Sequence, residues 1–151
     1  MAENIMHRDV LELAVADGRF TLFLNAVKKA GLEEFFMTPG HFTLFAPVDA
    51  AFSRFFYLLT VTVPGDPFGW LKHVVLDHVV SGTVMILPFN PSGVNIFKTV
   101  TGKTLVLHKD KKIMINEARV LEADNMCRHG CLHVINRILT PDEELKEVPF
   151  Y

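Results

Sequence analysis

The fold of this chain is decided by one stretch of sequence, Phe42-Thr43-Leu44-Phe45-Ala46-Pro47-Val48-Asp49-Ala50-Ala51-Phe52. Its first half is short, aromatic and aliphatic, which predicts a strand that is buried on both faces. Pro47 ends the strand because it has no N–H for a sheet ladder, and Asp49 can cap a helix that begins at once. A strand that leads directly into a helix indicates that a sheet and a helical layer share one core.

Helical patterns lie on both sides of this stretch. A first helix has Asp9 near its start, and Gly31 can close a second. The last helical pattern continues through Val79 and Val80, so we expect that helix to end near Gly82. Apolar residues recur at helical spacing in four segments: Val10, Leu13 and Ala14; Phe20, Phe23, Leu24 and Val27; Phe52, Phe55, Phe56 and Leu59; and Trp70, Leu71, Val74, Val75 and His78.

Beyond residue 80 the pattern changes to short apolar runs separated by turn residues, which predicts strands in an antiparallel meander. No linker rich in Ser, Gly or Pro separates the helical half from this half. The whole chain, residues 1–151, is therefore predicted to be a single α+β domain, in which residues 142–151 form an acidic C-terminal tail. The predicted strands are residues 96–100, 104–107, 113–115, 119–121 and 132–135.

Composition and charge exclude several classes of protein. Of the 151 residues, 50% are hydrophobic and 21% are charged, which excludes a disordered or collagen-like chain. The formal net charge of −2 gives no general attraction to phosphate, so no nucleic-acid partner is expected. No run approaches the ~18 apolar residues that a membrane span needs. The polar start of the chain does not have the pattern of a signal peptide.

Four segments of the chain resemble the fasciclin (FAS1) domain, a module of adhesion and matrix proteins. Residues 42–52 resemble its first signature motif, and Cys131-Leu132-His133-Val134-Ile135-Asn136-Arg137-Ile138-Leu139 resembles its second. Residues 71–82 lie where the family has a Tyr-His element, and residues 116–124 match the strand that leads into the second motif. The order and spacing of all four agree, and the resemblance covers residues 9–141.

The resemblance implies a fasciclin-like fold, with N-terminal helices packed on a bent antiparallel β-sheet assembly that forms a wedge or sandwich. It also implies a non-enzymatic adhesion or protein-binding module with no cofactor. The implied partner is a protein or carbohydrate, and the implied location is extracellular, periplasmic or at a cell surface. The only Asn-x-Ser/Thr sequence contains Pro91 and no Arg-Gly-Asp tripeptide occurs, which favours a prokaryotic single-domain relative.

Some residues acquire roles only through this resemblance. The Tyr-His element is linked in the family to integrin binding, so Asp77, which replaces the Tyr, and His78 are the candidate binding residues. We expect His78 to pack inward and Asp77 to be exposed. The second motif places His133 on a buried strand, where it can form a hydrogen bond across to the first motif. The residues expected to be structural are Phe42, Phe45, Pro47, Asp49, Phe52, His133 and Asn136.

Cys127, His129, Cys131 and His133 alternate along the chain, and three interpretations stay open. We rank two reduced, packed thiols first, a disulfide between Cys127 and Cys131 across a hairpin second, and a zinc site third. The zinc site is last because the resemblance assigns His133 a structural role. In addition, four ligands along one strand would line its edge, whereas a tetrahedral site needs ligands that converge.

Other functions compete with the adhesion module. An intracellular ligand-binding or thiol redox-responsive protein would use Cys127 and Cys131, and its location would be cytoplasmic. A small hydrolase built on Cys and His is a third hypothesis, but no orienting third group is evident. No Gly-x-Ser-x-Gly turn or phosphate-binding glycine loop occurs, so we predict no catalytic residue and no metal site.

A basic turn is the last feature of interest. Lys109, Lys111 and Lys112 surround Asp110 between two predicted strands. Such a turn is either a solvated loop tip or a contact patch for an acidic partner or a glycan.

Overall fold

The helices come first in the chain and most of the strands follow. The structure is a computed structural model that describes residues 9–38, 40–52, 69–86 and 94–140. The α-helices of this part are α1 Val10–Asp17, α2 Thr21–Lys29 and α3 Trp70–Leu76, and short 3₁₀ helices lie at Phe35–Met37 and Asp49–Phe52. The strands are β1 Phe42–Pro47, β2 Val79–Ser81, β3 Val94–Lys98, β4 Thr104–Lys109, β5 Ile113–Ile115, β6 Ala118–Cys127 and β7 Gly130–Ile135. The predicted helical residues Phe55, Phe56 and Leu59 and the predicted tail lie outside the described residues.

The first two helices begin and end close to the predicted signals. The Asp9 carboxylate accepts the N–H of Glu12 at 2.8 Å, and the Glu12 carboxylate accepts the N–H of Asp9 at 3.2 Å, which is a capping box. Gly31 follows the end of α2 with a φ of +71°, the left-handed conformation that glycine adopts most easily. In the described part of the chain, no helix is long and apolar enough to cross a membrane.

Asp49 caps a different helix from the one that the sequence indicates. The residue before α2 is Phe20, whose ring offers no hydrogen-bond acceptor. Asp49 Oδ1 instead accepts the N–H of Leu22 in the first turn of α2 at 2.8 Å. The expectation that Asp49 caps the helix following it is corrected here: its side chain ties the residues after β1 to α2. Phe52, at the end of the adjoining 3₁₀ helix, is buried.

The seven strands of the described residues form one sheet in the order β2-β1-β7-β6-β5-β4-β3. Most neighbours are antiparallel, and the α+β prediction is confirmed, but β1 and β7 run parallel, which the sequence pattern does not indicate. The expectation that a helix continues to Gly82 is wrong. The helix α3 ends at Leu76, and β2 pairs antiparallel with β1. The β-branched side chains of Val79 and Val80 favour a strand over a helix at this point.

The central strands β1 and β7 are buried on both faces. On one face, side chains of β1 and β7 pack against the helices. On the other face, they pack against side chains of the strands β3 to β6. The strand β6 reaches both layers because its register against β7 shifts at Glu122 and again before Asn125, and such bulges bend a strand. The first core includes Phe23, Val27, Leu44, Leu132 and Val134, and the second includes Phe45, Leu105, Leu107, Ile115 and Ile135.

Gly130 lies where the β6–β7 hairpin meets β1. It is opposite Cys127 in the hairpin and opposite Phe42 in β1. A Cβ added to Gly130 would overlap the carbonyl oxygen of Phe42, which is a backbone atom and cannot rotate away. Only glycine allows the two backbones to approach so closely.

We expect Gly130→Ala to destabilise the protein by about 3 kcal/mol, because the two strands must separate to admit a methyl group. Gly82→Ala is the control. Gly82 has open space around it and a φ of +92°, so only left-handed backbone strain applies there. That strain is worth about 1–2 kcal/mol. Urea unfolding followed by circular dichroism measures both, and equal losses would contradict the close approach of Gly130 to β1.

Candidate functional site

Asp77 lies at the end of α3 and is fully buried. Its carboxylate accepts hydrogen bonds from the hydroxyls of Thr101 at 2.7 Å and Thr140 at 2.8 Å. Lys103 Nζ lies 3.7 Å and His73 Nε2 3.4 Å from the same carboxylate. The expectation that Asp77 is exposed is therefore wrong. These hydroxyl and basic groups come from three separate segments, and together they surround a carboxylate that would otherwise be costly to bury.

His78 packs inward, as expected, and is fully buried. Its Nδ1–H donates to the carbonyl of Val74 at 2.7 Å, and its Nε2 accepts the N–H of Leu139 at 2.9 Å. The ring of Phe23 contacts the imidazole edge to face, with 5.6 Å between ring centroids. Burial lowers the pKa of His78 to about 4, and the hydrogen bond to Val74 and the charge of Asp77 oppose this shift. The imidazole is therefore neutral at physiological pH.

The Asp77–His78 pair consequently joins distant parts of the fold. A hydrogen bond between Asp77 and Thr101 joins the end of α3 to the turn between β3 and β4. Hydrogen bonds to Leu139 and Thr140 join it to the segment after β7. Neither side chain has exposed surface with which to contact a partner. The geometry supports a positioning role for both residues.

His133 is the buried histidine of the second motif. Its Nδ1 accepts the N–H of Asp124 at 2.9 Å, and its Nε2–H donates to the carbonyl of Val84 at 2.7 Å. The expected hydrogen bond to the first motif is not the contact that forms: the imidazole packs against the ring of Phe45, with 5.1 Å between centroids. Burial lowers the pKa of His133, so this ring is also neutral.

Cys127 and Cys131 are buried free thiols. Cys127 is opposite Gly130, and Cys131 is opposite Met126. Because paired residues share a face and neighbours alternate, the two thiols point to opposite faces of the hairpin. Burial raises the pKa of Cys127 to about 11 and that of Cys131 to about 12. A disulfide between them would require the hairpin to be rebuilt, and both groups are protonated at neutral pH.

Asp124, Cys131 and His133 bring potential metal-ligand atoms within 4.8 Å of one another. Asp124 Oδ1 already accepts the N–H of Ile86 at 2.6 Å, and both ring nitrogens of His133 are engaged. A metal would therefore have to displace these hydrogen bonds and a thiol proton. The donor set fits a structural network that holds the segment around Val84 and Ile86 to the sheet.

The role of Asp124 was missed in the sequence. It lies within the segment matched to the strand before the second motif, but nothing in the pattern distinguishes it from its neighbours. In the structure it has a φ of +60° next to the irregular pairing of β6, and this unusual conformation turns its carboxylate toward Ile86. Asn136, by contrast, accepts the N–H of Arg119 at 2.8 Å and continues the pairing beyond β7.

A cleft of about 400 Å³ opens beside the start of β1. Phe36 and Phe42 contribute apolar surface, Glu12 an acidic group, and Arg128 and His129 basic or polar groups. Sequence patterns do not indicate this cleft, because its lining residues come from separate segments before, within and after the first motif. The cleft is a surface feature with no buried ionisable side chain among these lining residues.

Comparisons with known proteins agree with this fold. The family model of the fasciclin domain matches residues 18–141. Human periostin is 30% identical over 93% of this chain, which spans only 16% of periostin. The Synechocystis protein sll1735 is 28% identical over 87% of this chain, which spans 96% of it. A solved FAS1 domain pair from the insect cell adhesion molecule fasciclin I has the same fold, with a TM-score of 0.72 and 18% identity over 91% of this chain and 52% of that one.

The neutral His78 predicts a loss of stability in acid. An unfolded histidine has a pKa of about 6.5, whereas that of the folded residue is about 4. Between these pH values only the unfolded state binds the proton, so stability falls as the pH is lowered. The slope is about 1.4 kcal/mol per pH unit, which gives a total of about 3 kcal/mol.

We expect His78→Gln to remove most of this slope, since an amide offers one donor and one acceptor without titrating. Urea unfolding of both proteins from about pH 7 to pH 4 measures the difference, and the shared titration of other groups cancels. Parallel pH profiles for the two proteins would show that the pKa of His78 is the same in the folded and unfolded states, which would contradict its lowering by burial.

The buried thiols predict slow reaction with a thiol reagent. In the folded protein at about pH 8, Cys127 and Cys131 are expected to stay unmodified, and both should react after unfolding. Met37→Cys supplies the positive control, because Met37 is 72% exposed. Addition of zinc should change neither result. Rapid labelling of Cys127 and Cys131 in the folded protein would contradict their burial. Labelling of the folded protein that zinc slows would contradict the hydrogen-bonded arrangement.

Proposed function

Because this chain belongs to the fasciclin domain family, which occurs in adhesion proteins, we propose that it is a non-enzymatic adhesion or protein-binding module. Its proposed partner is a protein or a carbohydrate at a cell surface or in a matrix. Its proposed location is extracellular, periplasmic or at the cell surface. The observation that carries the proposal is that the buried ionisable groups form hydrogen bonds within the fold.

In the part of the chain that the structure describes, the buried ionisable side chains are engaged within the fold. Asp77, His78 and His133 are buried and hydrogen-bonded to other segments. A catalytic cysteine needs a lowered pKa and access to substrate, whereas burial raises the pKa of Cys131 to about 12. These groups support the fold, so the surface is what this domain offers to another molecule.

A thiol-based redox function has less support. Redox-responsive cysteines are typically accessible, have a lowered pKa and lie next to a resolving thiol. Cys127 and Cys131 are buried on opposite faces of a hairpin. The structure therefore favours the binding module over this alternative.

Binding to material from the source cell tests the proposal. Fluorescently labelled protein is incubated with the envelope fraction and with the soluble fraction, and unlabelled protein serves as competitor. We expect saturable, competed binding to the envelope. Treatment of the envelope with protease removes a protein partner, and treatment with periodate destroys a carbohydrate partner, so the two classes are separated. Unfolded labelled protein is the control for non-specific adsorption.

Two results would contradict this function. The first is the absence of competed binding to the envelope. The second is turnover in a broad substrate screen that Cys131→Ala abolishes and Cys127→Ala leaves unchanged, since this would identify a catalyst rather than a binding module.

A further inference from the structure

The outer surface of β3 and its neighbours is apolar at its centre. Val94 and Ile96 of β3 are 60% and 65% exposed. Ile96 is opposite Val106, and paired residues share a face, so both point away from the core that contains Leu105 and Leu107. We define the β3 face as Val94, Ile96 and Lys98 of β3, Val106 and His108 of β4, and Met114 of β5.

The strand β3 also lies at an edge of the sheet. Among the residues that the structure describes, β4 pairs with one side of β3 and no strand pairs with the other. Such an edge presents N–H and C=O groups to a further strand, and proteins usually protect it with charges, prolines or bulges. The pairing of β3 is regular from Val94 to Lys98, and Lys98 is its one charged residue. The edge is therefore suited to strand addition.

The charges around the β3 face are mainly basic. Lys98 lies at one end, and Arg119 is opposite Met114 on the same face. At the other end Val94 pairs with His108, close to the turn that carries the exposed residues Lys111 and Lys112. Asp110 is the acidic residue of this turn, and Glu117 lies 3.6 Å from Arg137, an ion pair that offsets its charge. A partner with carboxylates beside apolar side chains complements this surface.

We propose that β3 binds an extended acidic and apolar segment of a partner protein as an added antiparallel strand. This inference rests on the proposed binding function and identifies its surface. The added strand places a carboxylate opposite Lys98, aliphatic side chains opposite Ile96 and Val94, and a second carboxylate near Lys111 and Lys112. Main-chain hydrogen bonds to β3 supply affinity, and the alternating side chains supply specificity.

A second copy of this chain is a poorer occupant of the same edge. Antiparallel pairing of two β3 strands about Ile96 would place Lys98 of each copy opposite Val94 of the other. Each Lys98 would then lie at the end of β3 that is close to the turn carrying Lys111 and Lys112 in the opposite copy. Like charges at both ends of the contact favour an acidic partner over self-association.

A synthetic peptide, Thr-Glu-Thr-Ile-Thr-Val-Thr-Glu-Thr, tests the surface directly. Its binding to the full chain is measured by fluorescence anisotropy at low salt. We expect Ile96→Glu to weaken binding about tenfold or more and Lys98→Glu to weaken it about fivefold. Val15→Glu is the matched control, because Val15 of α1 is also 65% exposed. A peptide of the same composition in shuffled order, and one with N-methyl groups on the paired edge, should bind weakly.

Two outcomes would overturn the inference. One is that the peptide fails to bind, or binds equally to the protein and to its Ile96→Glu variant while thermal unfolding shows that both are folded. The other is a dimer in analytical ultracentrifugation that Ile96→Glu dissociates, since this would assign the edge to a second copy. Envelope binding that survives Ile96→Glu would refute this surface and leave the proposed function standing, whereas loss of all envelope binding by the unaltered protein would refute the function.

Discussion

The parallel contact between β1 and β7 is the constraint on which the rest of the structure depends. Because both strands are buried on both faces, every polar side chain that they carry must find its partner within the protein. Thr43 does so by donating to the carbonyl of Gly82 at 2.7 Å and accepting the N–H of Val84 at 2.8 Å. His133 binds the carbonyl of Val84 from the neighbouring strand. The segment after β2 is therefore held in place by the polar groups of the central strand pair.

The same principle explains the polar contacts of Asp77 and His78, which lie where the family has its Tyr-His element. Tyrosine carries a neutral hydroxyl, whereas Asp77 carries a carboxylate that needs several donors once it is buried. Hydroxyls from Thr101 and Thr140 supply them, and the adjacent His78 uses both ring nitrogens inside the fold. In the part of the chain that is described, no buried side-chain nitrogen or oxygen lacks a hydrogen-bond partner. The described part of the interior therefore satisfies its own polar side chains.

Local signals in the sequence were sufficient to predict the elements that are determined by residues close together in the chain. The helix start near Asp9, the closing Gly31 and the buried strand at residues 42–46 all depend on near neighbours, and the structure has them. The parallel pairing of β1 with β7, the burial of Asp77 and the capping of α2 by Asp49 depend on residues far away in the chain. Period and propensity carry no information about such contacts. The α+β class was therefore predictable, whereas the side-chain network was not.

The attachment of the segment after β7 has a mechanical consequence. In this segment, Leu139 and Thr140 form hydrogen bonds with two adjacent residues at the end of α3, His78 and Asp77. A pull on the backbone beyond Thr140 would load both buried hydrogen bonds at once and pass the force into a helix and a turn. Bonds that share a load break at a higher force than bonds that open one after another. The two buried hydrogen bonds thus give the segment after β7 a reinforced attachment to the end of α3.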